Sequence, residues 1–181
     1  MLSAVIDKDT GELMEYQRLM KNPKYCSLYC NSYAKEIGQL SQGMPGLVEG
    51  TNKMFFMEKT DVPANRWRDV KYGRVVVDCR QERTNPYQNR LTVGGYRVNY
   101  SVDCGTTTVD LTTVKILLNS IVSTLNAKFM TIEVKYFYLN TLMARSDYIR
   151  LKLIDLPEST VNHYNLEEKA TRDRYVYVEI K

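Results

Sequence analysis

Residues Lys128 to Met143 read KFMTIEVKYFYLNTLM, and a single carboxylate, Glu133, stands there between Ile132 and Val134. Apolar and polar positions alternate around it, which is the two-residue period of a strand with one buried face. The outward face of such a strand is polar in any case, so a surface position accounts for the acid. A divalent-metal site would want a carboxylate at the same place, and both readings stand at this point.

A second group of chemistry-bearing residues lies between Arg66 and Arg97. Arg66, Arg68, Lys71, Arg74, Arg80, Arg83, Arg90 and Arg97 are opposed only by Asp69, Asp78 and Glu82. Eight bases against three acids give this segment an excess of +5, while the whole chain carries +4. Seven of the eight bases are arginine, whose planar fork matches phosphate oxygens better than an ammonium does. A solvated basic face and a phosphate-gripping face both fit this pattern. The thiols point to less. Cys26 and Cys30 are four apart, but Cys79, Cys104 and the single histidine, His163, are remote from them. A zinc site wants four clustered ligands, so reduced, partly buried thiols are expected. Gly43, Gly46 and Gly50 neither follow a strand nor open a helix, so "QGMPG" reads as a connector and not as a phosphate cradle.

The elements that must position these groups follow from periodicity. From Pro23 to Leu40, Cys26, Tyr29, Cys30, Tyr33, Ile37 and Leu40 recur at three and four, one face of a helix. "MFFM" and "RVVVDC" are β-rich runs, the second followed by the polar loop "RQERTNPYQN". "RLTV" alternates, Gly94-Gly95 signals a turn, and "YRVNY" resumes the alternation, a twisted antiparallel sheet or hairpin with arginines on its outer face. Asp110 is a good N-cap for a helix with the stripe Val114, Leu117, Leu118, Ile121, Val122 and Leu125. The strand Phe129 to Tyr136 is expected to pack on that stripe, burying Leu117, Leu118, Ile121, Ile132 and Val134. Pro157 opens a short helix, and "RYVYVEIK" is a further strand in which the sequence stops, as if more of a domain should follow. The order is α+β, helices packed on a mainly antiparallel sheet. Its segments are an N-terminal helix and connector over 1–50, a β-rich region plus helix over 51–125, and a last part over 126–181.

With 44% hydrophobic and 25% charged residues the chain has the composition of a folded soluble protein, not a disordered one. No apolar run approaches the ~18 residues that span a bilayer. The start, MLSAVIDKDTGE, lacks the basic and apolar regions of a signal peptide, so an intracellular place, cytoplasm or nucleus, and no membrane are expected.

Three blocks, in order, resemble one family. "YGRVVVDCRQERTNPYQNRLTVGG", "DLTTVKILLNSIVST" and "FMTIEVKYFYLNTLMARSDYIRLKL" are similar to the fingers and first palm segment of copia-type retrotransposon reverse transcriptases. The resemblance runs from about Glu36 to Lys181, with "EVKYFYLN" and "YIR" as its more specific strings. It implies that 51–125 is fingers-like and that 126–181 begins the palm, before the family's second catalytic motif. It puts Glu133 at the position of a metal-binding aspartate, one of several acids that hold two magnesium ions for phosphoryl transfer. Glutamate adds a methylene there, moving the oxygens by on the order of 1 Å, a displacement that can cost ~10²-fold in rate. Tyr138 falls where the family places a ring under the incoming sugar, selecting deoxynucleotides. Arg74 and Arg90 correspond to groups that grip the triphosphate or template, with Arg66, Arg68, Lys71, Arg80, Arg83 and Arg97 along the nucleic-acid backbone. The family's paired aspartate is missing, since no Asp-Asp pair occurs in the chain. The expectation is a fragment of an RNA-directed DNA polymerase that is inactive alone. Its partners would be RNA or DNA backbone, a deoxynucleotide in the intact family, and the remainder of a polyprotein. A non-catalytic nucleic-acid-binding module and a structural remnant are the alternatives.

Overall fold

The structure is a computed structural model, and it describes residues 4–94, 108–134, 139 and 143–181. The chain divides into two compact units, Met1–Val98 with Leu142–Lys181, and Asn99–Thr141.

The first unit opens with a hairpin of β1 (Ala4–Ile6) and β2 (Leu13–Glu15), in which Val5 faces Met14. Its turn is organised by the buried carboxylate of Asp7, which accepts hydrogen bonds from Asp9 N–H at 3.1 Å, Thr10 Oγ1 at 3.3 Å and the Tyr25 hydroxyl at 2.8 Å. Those donors, the Asp9 amide first, hold the Asp7 carboxyl below its ordinary value. Two helices follow, α1 (Tyr16–Lys21) and α2 (Cys26–Leu40). The three-and-four spacing read in α2 is its buried face, with Tyr29, Tyr33 and Ile37 almost wholly sealed. Instead of a bare connector, "QGMPG" begins a small hairpin of β3 (Gly43–Met44) and β4 (Val48–Glu49). Glycine is required at residue 43, where φ is +89° and a Cβ would meet Gly50 N at 2.7 Å.

The main sheet takes β5 (Met54–Met57), β6 (Lys71–Cys79), β7 (Tyr87–Val93), β8 (Asp147–Lys152) and β9 (Tyr175–Ile180), in the order β5-β9-β8-β6-β7. Every ladder is antiparallel except β6 with β8, which runs parallel with Lys71 opposite Ile149. Alternation decides the two faces. Ile149, Leu151, Val176 and Val178 join Val75 and Val77 in the core beneath α1, α2, α4 (Glu158–His163) and α5 (Leu166–Lys169). Tyr148 and Tyr177 point the other way and pack with Val62 and Trp67 from the 3-10 turns before β6, the Trp67 and Tyr177 rings meeting edge-on at 5.8 Å. The α+β reading therefore holds, with both faces of the sheet's centre covered. Because β5 to β7 and β8 to β9 share one sheet, the compact unit cuts across the 51–125 and 126–181 segments read from sequence.

In the second unit α3 (Leu111–Ser123) starts where expected, Asp110 accepting Thr113 N–H at 2.9 Å and the Thr113 hydroxyl at 2.8 Å. Its apolar stripe is not buried: Leu117 is 53% and Leu118 45% exposed. The strand expected over Phe129 to Tyr136 is also corrected. Residues 129–134 form neither helix nor strand, with Ile132 72% and Val134 56% exposed, and residues 135 and 136 lie outside those described. Alternation supplies two faces, but a strand also needs a neighbour for its amides and carbonyls, and no described strand pairs with this segment. Among the described residues no helix is long and apolar enough to cross a membrane.

Candidate nucleic-acid interface

The basic segment separates into an inward and an outward set. The inward set begins with Lys71, the first residue of β6, which is only 4% exposed. Its ammonium pairs with Asp147 Oδ2 at 3.2 Å across the parallel β6–β8 contact. Arg66, on the preceding 3-10 turn, donates to Asp69 at 2.7 Å, to the Ser146 carbonyl at 2.9 Å and to Asp147 at 3.4 Å. Its guanidinium also lies 5.3 Å from the centre of the Tyr148 ring. Lys71 and Arg66 are thus both paired with intramolecular acids, unlike the outward arginines. A buried ammonium must keep its counter-charge, which leaves nothing over for phosphate. Arg80 is intermediate, half-exposed and paired with Asp78 at 2.7 Å.

The outward set is built by the β6–β7 hairpin. Val75 and Val77 point into the core, so Tyr72, Arg74 and Val76 face the opposite way. The register places Arg74 beside Thr92 and Val76 beside Arg90. Arg74 and Arg90 are therefore diagonal neighbours on one face, ~7–8 Å apart at the backbone. Both are exposed, and Arg74 forms no ion pair with another described residue. Arg83 extends the row to the exposed loop beyond β6, donating to Gln88 Oε1 at 3.2 Å, and Arg68 is exposed on its 3-10 turn.

Beside Arg90 a groove of about 750 Å³ runs between α2 and β7, lined by Ser32, Lys35, Glu36, Gln39, Gln88 and Arg90 among others. Two side chains of α2 close the free edge of β7: Ser32 Oγ accepts Asn89 N–H at 3.0 Å and Glu36 Oε1 accepts Leu91 N–H at 3.4 Å. Burial pushes the Glu36 carboxyl above its ordinary value, a rise partly offset by the Leu91 amide and by the Arg90 charge. Lys35, which lies outside the arginine-rich segment, adds a cation to the groove wall. Sequence reading missed it because only the packing of α2 along β7 brings the two together. Asn89, 4% exposed, holds a side-chain amide with no partner among the described residues.

Glu133 is exposed and makes no ion pair with a described residue, and no group of three His, Cys, Asp or Glu side chains gathers among the described residues. Glu133 thus stands as a single carboxylate among the described residues, where a two-magnesium centre takes several. Arg97 and Tyr138 lie outside the described residues. No family model, curated protein or solved structure matches the chain.

Proposed function

We propose that the chain carries the fingers and first palm segment of a copia-type reverse transcriptase, and that it grips nucleic-acid backbone through Arg68, Arg74, Arg83 and Arg90. In an intact enzyme of that kind the grip would hold template or deoxynucleotide for magnesium-dependent DNA synthesis. The observation that carries the reading is the shared face of Arg74 and Arg90, the two residues to which the family resemblance gives that role. Their exposure and the lack of any ion pair at Arg74 leave a guanidinium free for an external anion. A sequence-independent binding module needs no more than this face, so the binding is expected without turnover and without base preference.

The test is the salt dependence of binding to a single-stranded RNA and a DNA duplex, read by fluorescence anisotropy. Each phosphate contact removed should flatten the slope of log K against log salt by ~0.7 on a single strand and ~0.9 on a duplex. Arg74→Ala with Arg90→Ala should weaken binding to all sequences alike and lower the slope, while Lys71→Met should leave the slope unchanged. Equal affinity and slope for the parent chain and for Arg74→Ala, Arg83→Ala, Arg90→Ala combined would eliminate this surface.

A further inference from the structure

Three sulfur atoms from two helices meet at the α1–α2 corner. Cys26 lies in the first turn of α2, Cys30 follows one turn later on the same side, and Met20 reaches Cys30 from α1. Cys26 Sγ stands 4.0 Å from Cys30 Sγ, and Cys30 Sγ stands 3.4 Å from Met20 Sδ. All three side chains are half-buried, open enough for an ion to enter and closed enough to be held in place. We propose that Met20, Cys26 and Cys30 form a binding site for a soft monovalent cation, Cu(I).

The geometry favours a metal over the other fates of a thiol pair. A cation at about 2.3 Å from each of three sulfurs in a plane holds those sulfurs about 4.0 Å apart. The cysteine pair already has that separation. Met20 is closer by a fraction of an ångström, a gap its three rotatable bonds can open. A disulfide would require the sulfurs to close to about 2.05 Å, against the spacing that the helix imposes. Zinc would want four ligands, and no cluster of His, Cys, Asp and Glu stands among the described residues to complete them. His163 is occupied elsewhere, its Nε2 lying 3.1 Å from the Gly43 carbonyl. Two thiolates and a thioether are the soft ligand set that selects Cu(I).

Binding changes no oxidation state. Two thiols lose their protons to solvent, and the cation becomes an anionic bis-thiolate complex with the thioether as its third ligand. That negative charge would sit at the first turn of α2, where the helix dipole favours it. Both thiols must give up a proton to bind the cation, so affinity rises with pH. The site is independent of the nucleic-acid reading, since neither Cys26, Cys30 nor Met20 belongs to the basic face.

The test is anaerobic titration of the reduced full chain with Cu(I) against the chromogenic chelator bicinchoninate. The parent chain should withhold a single equivalent from the chelator and develop an ultraviolet thiolate-to-copper band. Cys26→Ser with Cys30→Ser should lose both signals, while Cys79→Ser with Cys104→Ser should keep them. Met20→Leu conserves volume and should preserve the far-ultraviolet circular dichroism. X-ray absorption at the copper edge should then report three sulfur neighbours in the parent chain and two in Met20→Leu. Failure of the parent chain to withhold copper, retention of the equivalent by the Cys26→Ser, Cys30→Ser chain, or unchanged coordination in Met20→Leu would each overturn the site.

Discussion

At the scale of single residues, the least replaceable group in the basic region is an acid. Asp147 neutralises Lys71, which is 4% exposed, and shares Arg66 with Asp69. Removing one partner of a buried pair leaves the other charge without compensation, whereas replacing both with apolar groups is often neutral. Asp147→Ala should therefore destabilise the fold by about 3 kcal/mol, near the lower limit for buried pairs because water still reaches Asp147. Lys71→Met combined with Asp147→Leu should recover most of that loss in urea unfolding. A loss below about 1 kcal/mol for the single variant would place the pair among solvated surface bridges instead. The sequence showed Lys71 and Arg66 as members of a basic run, and nothing local distinguished them from Arg74. Their partner lies 76 residues from Lys71 along the chain, so only the parallel β6–β8 contact shows that they are already paired.

At the scale of elements, α2 does two things for β7, burying its inner side and capping its open edge through Ser32 and Glu36. Glu36 makes the second role depend on pH. Its folded pKa is raised above the ordinary 4.5, so the stability it contributes is fully present below pH 4.5 and lost as pH rises through the folded value. Glu36→Gln keeps an oxygen for Leu91 N–H and removes the charge. Its urea midpoint should exceed that of the parent chain at pH 7, and the difference should vanish towards pH 4. An identical midpoint at both pH values would mean that Glu36 is as well solvated folded as unfolded. The helix itself was legible from Tyr29, Tyr33 and Ile37, because a sealed face at helical spacing needs no distant information. Asp110 likewise marked the start of α3 through its own local hydrogen bonds. Periodicity shows which face of α3 is apolar but not what covers it, and for that reason the burial expected of Leu117 and Leu118 failed. The β1–β2 hairpin escaped notice because its strands have three residues each, too few for alternation to register.

At the scale of the whole molecule, the sheet joins chain segments that are far apart in sequence. β9 lies between β5 and β8, with Val176 and Val178 fully buried, and Met54 pairs with Ile180. Among the described residues β5 has no other ladder. A chain ending at residue 174 should therefore lose β5 as well as β9, and its thermal melt should show no cooperative transition. A sharp melt near that of the parent chain would mean that the β8-β6-β7 part and its helices form a core of their own. The same order has a consequence for biosynthesis. At ~5–20 residues per second, on the order of 10 s separates translation of Met57 from translation of Ile180. For that interval the nascent chain holds "MFFM" as an unsealed, aggregation-prone strand, the kind of segment a holding chaperone recognises.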